Sequence, residues 1–346
     1  MHRRRERRGL VLGWLVSNLF WLGSCLNANV ENSFIRTPSM LAPQGPAAGH
    51  IAGLSWFMII LGTVIFIGVM IYLAYAIWGH RGYDLEEELK RPNEGNGIVL
   101  TWGVGFTALI LVILFGANIG TMRANNQIAD GEQRLVIDVI GHQWWWEVQY
   151  GEQGFEIANE IHIPAGQPVT LRLVAKDVIH SFWVPELGGK LDLLPNQVNE
   201  LTLVADKTGE YWGECAEYCG TQHAKMKLVV IVHSEQQFAA WLEHQQTVPG
   251  PPEDELAVEG QQIFLGSACV YCHAIEGTNA SGDLGPDLTH IASRRTIGAG
   301  ILENTTGNLA GWIVDAQAIK PGNHMPPMDL SGEELQAILA YMKYLE

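Results

Sequence analysis

Cys215-Ala216-Glu217-Tyr218-Cys219-Gly220-Thr221-Gln222-His223-Ala224-Lys225-Met226 is the stretch on which the reading of this chain turns. It offers two thiols, an imidazole and a thioether. A second imidazole, His180, comes from a separate apolar run, Val178-Ile179-His180-Ser181-Phe182-Trp183. These are soft to borderline donors, and they suit copper. A single blue-copper ion would use one cysteine. A second cysteine one short loop later lets both sulfurs bridge two ions, so that one electron is shared and bond lengths change little on reduction. Structural zinc takes Cys and His at this spacing but has no use for the methionine. A Cys215–Cys219 disulfide is sterically open to such a loop. Neither rival gives a task to His180, His223 and Met226 together.

The scaffold around this loop reads as β structure. From Arg134 to about Val232 the chain runs in short β-rich segments, among them Arg134 to Ile140, Trp144 to Tyr150, Val169 to Val174, Val198 to Val204 and Lys227 to Val232. Turn chemistry such as Ile163-Pro164-Ala165-Gly166 and Asp206-Lys207-Thr208-Gly209 separates several of them. An all-β sandwich or Greek-key barrel follows. The segment Gly141-His142-Gln143-Trp144-Trp145-Trp146 is unusually aromatic. Trp145 and Trp146 are expected in the sandwich core, although consecutive strand residues face opposite sides. His142, His162 and His233 have no ligand-like neighbours and read as structural.

Before the β region lie apolar runs. Arg3, Arg4, Arg5, Arg7 and Arg8 precede Leu10 to Gly23, which is too short to span a core of roughly 30 Å at about 1.5 Å per residue. Residues 1–25 therefore read as a signal peptide. Its end, Leu22-Gly23-Ser24-Cys25, resembles a bacterial lipobox, with lipidation of Cys25 as the expectation and an incidental cysteine as the alternative. Ile51 to Trp78 and Ile98 to Ile119 carry no Asp, Glu, Lys or Arg and are long enough to span. Arg81, Lys90 and Arg91 lie between them and only Arg123 follows closely. By the positive-inside rule the connecting loop is cytoplasmic and everything after the second span is external.

After the β region, residues 245–255 hold Pro249, Gly250, Pro251, Pro252 and three acidic residues, a semi-rigid linker composition. A further domain, 256–346, opens with Cys269-Val270-Tyr271-Cys272-His273, the pattern that attaches haem through two thioethers and ligates its iron through the histidine. Zinc would want a second ligand pair that the domain lacks. Met325 in Lys320-Pro321-Gly322-Asn323-His324-Met325-Pro326-Pro327-Met328 sits where small class I cytochromes c place a distal ligand, and Gly285-Pro286-Asp287-Leu288 resembles the segment of such cytochromes whose proline carbonyl accepts the proximal histidine's Nδ1 proton, which would fix the His273 ring. In the last segment Leu335, Ile338, Leu339, Tyr341 and Met342 read as packing residues against Gly260 and Phe264.

Together these motifs resemble subunit II of cytochrome c oxidase, the subunit that carries a dinuclear copper centre called CuA, with a fused C-terminal class I cytochrome c. The resemblance covers nearly the whole chain after the signal peptide. It implies a two-helix membrane hairpin (residues 26–130 with their N-terminal segment), a cupredoxin-like copper domain (131–244) and an all-α cytochrome domain. It implies that Cys215 and Cys219 bridge both coppers, that His180 and Met226 complete one, and that His223 and the Glu217 carbonyl complete the other. The Glu217 side chain would reach a magnesium site shared with subunit I. Trp144 would be the residue through which electrons reach the copper. The implied partners are subunits I and III, membrane lipid and an external donor, either a cytochrome c or a quinol-oxidising complex. The implied location is the bacterial inner membrane, with the N-terminus and both later domains on the outer side. Many such subunits carry a Glu three residues before the Trp that opens the second span. Here that Trp is Trp102 and the position holds Val99, so Glu94 is expected to gather protons, with a plain solvated loop residue as the alternative.

The bulk numbers agree. A chain of 346 residues has room for several domains. Its net charge of −16, concentrated after Thr121, argues against nucleic acid and for a basic protein partner or for solubility. Two rivals remain at this level, the electron-input subunit of a CuA-type nitric oxide reductase and a membrane copper-delivery protein. The second has no need of a covalent haem.

Overall fold

The computed structural model describes residues 37–79, 97, 99–128 and 135–346. The signal-peptide reading with Cys25, the loop residues Arg81, Lys90, Arg91 and Glu94, and Arg134 lie outside the described residues.

Helix α1 (Pro46–Trp78) and helix α2 (Phe106–Ile128), the latter preceded by a π-helical stretch Val99–Gly105, are long and apolar enough to cross a membrane. Most of their apolar side chains stand exposed: Phe66 is 64% exposed and Phe115 68%. A soluble core helix would bury such residues, and lipid is the solvent that suits them. Helix α1 starts ahead of the apolar run at Ile51, because Pro46 suits a first helical turn and Ala48 and Ala52 are small enough to be buried there. Helix α2 runs on past Ile119. Its polar last turns bring Asn125 Oδ1 to 2.8 Å from His50 Nδ1 at the start of α1, a link between the two ends of an antiparallel hairpin. The backbone of Gln44 is paired on both sides with the external domain, donating to Glu186 and accepting from Asp206.

That external domain is a sandwich of two five-stranded sheets. One holds β1 (Leu135–His142), β2 (Trp145–Tyr150), β3 (Phe155–Ala158), β5 (Val169–Ala175) and β8 (Asn199–Leu203), in the order β3-β2-β1-β5-β8. The other holds β4 (Glu160–Pro164), β6 (His180–Trp183), β7 (Leu191–Leu193), β9 (Gly209–Cys215) and β10 (Lys227–His233), in the order β4-β10-β9-β6-β7. Burial alternates along β2, so Trp146, Val148 and Tyr150 enter the core. Trp145 does not: it faces the other way and stacks on His142 at 4.4 Å. The period of two thus overrides the hydrophobicity of the second tryptophan.

Ser234 and Gln237 form a capping box that starts α3 (Glu235–Gln245) directly after β10. This helix lays Trp241 flat on His162 at 4.1 Å, while His162 Nδ1 meets His233 Nε2 at 2.8 Å. Burial and the neighbouring His162 push His233 down to about 4, against about 6.5 for a free histidine. Between those values the unfolded chain binds a proton that the folded chain refuses, so stability falls as pH drops through this window and levels off below it. We expect the thermal midpoint difference between pH 7 and pH 5 to shrink in a His233→Asn variant. An unchanged difference would show that this pair does not govern acid lability.

The C-terminal domain is helical: α4 (Glu255–Gly266), α5 (Thr306–Ile319) and α6 (Gly332–Tyr344), with a two-stranded ribbon of β11 (Thr296–Ile297) and β12 (Leu302–Glu303). Asp254 caps α4, and Ser331 with Glu334 forms a capping box on α6. Helices α4 and α6 touch at Gly260, where a Cβ would lie 1.9 Å from the Ala337 carbonyl oxygen. Backbone cannot move aside as a flexible side chain can. Gly260→Ala should therefore cost about 1–3 kcal/mol or more, read as a fall in the thermal midpoint of this domain. A midpoint equal to wild type would mean that the crossing is loose.

Candidate metal centres

Strand pairing brings the copper-loop residues together. β6 pairs with β9 so that Phe182 stands opposite Cys215, which sets His180 beside the loop that follows. Backbone bonds from Cys215 N–H to Met226 O (3.0 Å) and from Ala216 N–H to Ser181 O (2.9 Å) close that loop on both strands. The Sγ atoms of Cys215 and Cys219 lie 3.8 Å apart. A disulfide would need about 2.05 Å, and both thiols are free. Cys215 Sγ is 3.9 Å from His180 Nδ1 and 3.2 Å from the Glu217 carbonyl. Cys219 Sγ is 3.7 Å from His223 Nδ1 and 3.8 Å from Met226 Sδ. All the donors named from the sequence thus face one small volume, and His180, Cys215 and Cys219 alone already form a cluster able to hold a metal ion. The Glu217 carboxylate instead accepts from the Tyr218 N–H on the exposed side of the loop.

Electrostatics prepare the site for a cation. A hydrogen bond from Cys219, followed by His180 and backbone bonds, pulls the Cys215 thiol down to about 3. The bond to Cys215 and then burial push Cys219 up, so without a metal the two sulfurs share a proton that a cation would displace. Burial opposes charge on His180, but a 2.8 Å bond from its Nε2 to Asp177 Oδ1 raises it and leaves Nδ1 turned toward the sulfurs. The same carboxylate accepts from Gln143 N–H at 2.6 Å. Asp177 had no signal in the sequence beyond standing three residues before a ligand.

Trp144 is 8% exposed, and its Nε1 donates to the Cys219 carbonyl at 3.0 Å. Gln143 Nε2 donates to the same oxygen at 2.7 Å. Gly220, at φ +118°, lets this happen: a Cβ there would sit 3.0 Å from Trp144 Cζ2. On its other side Trp144 meets His324 of the helical domain, with ring centroids 5.7 Å apart.

His324 belongs to the wall of a cavity of about 620 Å³. Cys269, Cys272, His273 and Met325 all line it. The two cysteines lie on and just after a 3-10 turn, Ala268–Tyr271. The His273 Nδ1 proton goes to the Pro286 carbonyl at 2.7 Å, while burial lowers the ring's basicity and keeps Nε2 an acceptor. Met325 is held in a braced loop: its N–H donates to Asn323 Oδ1 at 2.7 Å and its carbonyl accepts from Gln317 Nε2 at 2.7 Å. Met328 also reaches the cavity. The cavity fits haem by its donors and by one orphan: Arg294 lines it with Nε buried and without a hydrogen-bond partner, and a propionate would supply one. Trp144, Trp145 and Asn159 of the β domain complete the wall. Lys320 does so too, and burial pushes it down to about 7. None of these lining roles was legible in the sequence.

Two family models match this chain, "Cytochrome C oxidase subunit II, periplasmic domain" over residues 152–233 and "Cytochrome c" over residues 257–346. Cytochrome c oxidase subunit 2 of Alkalihalophilus pseudofirmus is 35% identical, the alignment spanning 88% of this chain and 90% of that protein. The Bacillus subtilis protein of the same name is 30% identical over 86% of this chain and 90% of its own length. The crystal structure of the periplasmic domain of subunit II of cytochrome oxidase from Bradyrhizobium japonicum aligns at 32% identity with a TM-score of 0.33, covering 34% of this chain and 96% of that one. With a copper-loop sandwich, a membrane hairpin and a cytochrome domain in one polypeptide, the chain belongs to the cytochrome c oxidase subunit 2 family.

Proposed function

We propose that this chain receives electrons from an external donor on a covalent haem c and passes them through Trp144 to a dinuclear copper centre. From there they go to the haem and haem-copper site of subunit I, where oxygen becomes water and protons are pumped. Cys269 and Cys272 tether the haem, and His273 and Met325 bind its iron. His180, Cys215, Cys219, His223, Met226 and the Glu217 carbonyl hold the copper, and the Glu217 carboxylate serves a magnesium shared with subunit I. The two cofactors supply one-electron chemistry; the protein sets their distance and potentials. The helices anchor the chain in a bacterial cell membrane beside subunits I and III. The β and cytochrome domains (131–244 and 256–346) lie outside, joined by the linker 245–255.

One observation carries this reading: Trp144 bonds the carbonyl of Cys219 in the copper loop and also lines the haem cavity. No other arrangement of these motifs would need a tryptophan at both places. A copper-delivery protein has no use for such a junction.

The test is metal and haem analysis of the purified complex together with paramagnetic resonance and oxygen uptake. We expect two coppers and one covalent haem per chain, an unpaired electron shared by two copper nuclei, and oxygen consumption. A signal from a single localised copper would refute the dinuclear centre. Non-haem iron in the partner subunit would make the complex a nitric oxide reductase.

A further inference from the structure

Lys320 caps the C-terminus of α5 and is 3% exposed. Its Nζ donates to the Trp144 carbonyl in the β domain at 2.7 Å and to the Gly298 carbonyl in the cytochrome domain at 3.2 Å. Taking an ammonium out of water is costly unless its protons find acceptors, and both of these acceptors are backbone. One of them belongs to the residue that touches the copper loop. On the other side, the Lys320 carbonyl accepts from both the backbone N–H and the side-chain amide of Asn323. Asn323 in turn braces Met325. A short chain of bonds therefore runs from the Trp144 backbone through Lys320 and Asn323 to Met325.

Neighbouring ties act in the same sense. Lys225 Nζ donates to the Ile319 carbonyl at 2.6 Å, and Gln222 Nε2 donates to the Pro321 carbonyl. Further along the contact, Lys227 N–H meets Ala299 O at 3.0 Å and Thr296 N–H meets the buried Glu160 carboxylate at 2.9 Å. The cytochrome domain is docked on the copper domain rather than tethered to it by the linker alone, and Lys320 is the tie that reaches the backbone of Trp144.

We infer that Lys320 is the positioning residue for the haem-to-copper step: it fixes the His324–Met325 loop against Trp144 by bonding the backbone of the tryptophan itself. The inference rests on the haem-to-copper route proposed above. In that step one electron leaves ferrous haem, making it ferric, and reduces the copper pair by one; no proton and no bond is exchanged. Nothing in it requires Lys320 to touch either cofactor. Its effect is on distance and on how long the productive arrangement lasts.

Lys320→Met keeps the aliphatic stem and deletes the donor. In the full oxidase complex, a photoexcited ruthenium–bipyridyl reductant delivers one electron to the haem, and haem reoxidation and copper reduction are followed together. In the wild type we expect the transfer to be first order and independent of glycerol viscosity. In Lys320→Met we expect it to be slower by about tenfold, since electron transfer falls steeply with separation and holding two partners in place is worth at least that factor. It should also become viscosity-dependent, because the domain must now find its dock. The copper resonance and the haem charge-transfer band should be unchanged.

A Lys320→Met rate equal to wild type overturns the inference. So does slowing that comes with an altered copper or haem spectrum, which would make Lys320 a packing residue. Should Lys320→Met fail to assemble, Lys225→Met loosens the same loop from the copper side: slowed, viscosity-dependent transfer supports the docking role, and unchanged transfer defeats it. A wild-type complex whose haem never reduces the copper would instead defeat the route and not the role of Lys320.

Discussion

Met325→His should turn the oxidase over with an external cytochrome at about one hundredth of the wild-type rate or less. A thioether raises a haem potential, whereas a second imidazole lowers it. Axial ligation spans about 0.8 V across haem proteins, so a fall of roughly 0.2 V is a modest expectation. At about 59 mV per factor of ten for one electron, it makes electron entry from the donor onto the haem roughly a thousandfold less favourable. A bypass would rescue turnover if the donor could reach the copper domain directly. Burial opposes that bypass at Trp144, which is 8% exposed with His324 against it. Steady-state oxygen uptake decides, with the absorbance of the Met–iron charge-transfer band as a check on ligation. Full turnover in Met325→His with loss in Met328→His would move the distal ligand to Met328, which also lines the cavity. Full turnover in both would mean that electrons reach the copper without the haem.

Cys219→Ser should be as damaging for a different reason. A serine oxygen is a hard donor and does not bridge two coppers as a thiolate does. The electron that two nuclei share should then localise on one, and the resonance spectrum should show hyperfine splitting from a single copper. Altering even an outer partner of a metal ligand costs about 10–100-fold, so loss of a bridging ligand should lower turnover by about a hundredfold or more. Trp144→Phe is the matched control. It removes the indole bond to the Cys219 carbonyl and leaves every sulfur in place, so the shared-electron spectrum should persist while haem-to-copper transfer slows. A normal spectrum in Cys219→Ser would refute the bridging role.

What the sequence made legible was chemistry confined to one segment. The copper loop and Cys269-Val270-Tyr271-Cys272-His273 each announce a site because their donors are neighbours in the chain, and the membrane spans announce themselves by length. Partners supplied by folding were silent. Asp177 orients His180 and the Gln143 backbone only because β6 and the turn before Trp144 converge. Lys320 looks like any surface lysine until the Trp144 carbonyl is set above it. Strand β4 escaped for a related reason. Ile163 and Pro164 read as part of a turn, yet they end strand β4, all five residues of which are buried. Glu160 can be there because Thr296 of the other domain donates to it, a partner 136 positions away. His162 can be there because Trp241 stacks on its ring and His233 shares a hydrogen bond with it. The same blindness placed Trp145 in the core, when β2 turns it toward the cytochrome.

The domain contact also has a bearing on how such chains drift. Several of its acceptors are main-chain carbonyls, those of Trp144, Ala299, Ile319 and Pro321. A carbonyl survives any substitution of the residue that bears it. Positions 319 and 321 can therefore change identity without withdrawing an acceptor, while the donors opposite them, Lys225 and Gln222, cannot. Compensating pairs of mutations across this seam should be scarce among relatives, and a search for correlated positions would find little where the two domains in fact hold each other most closely.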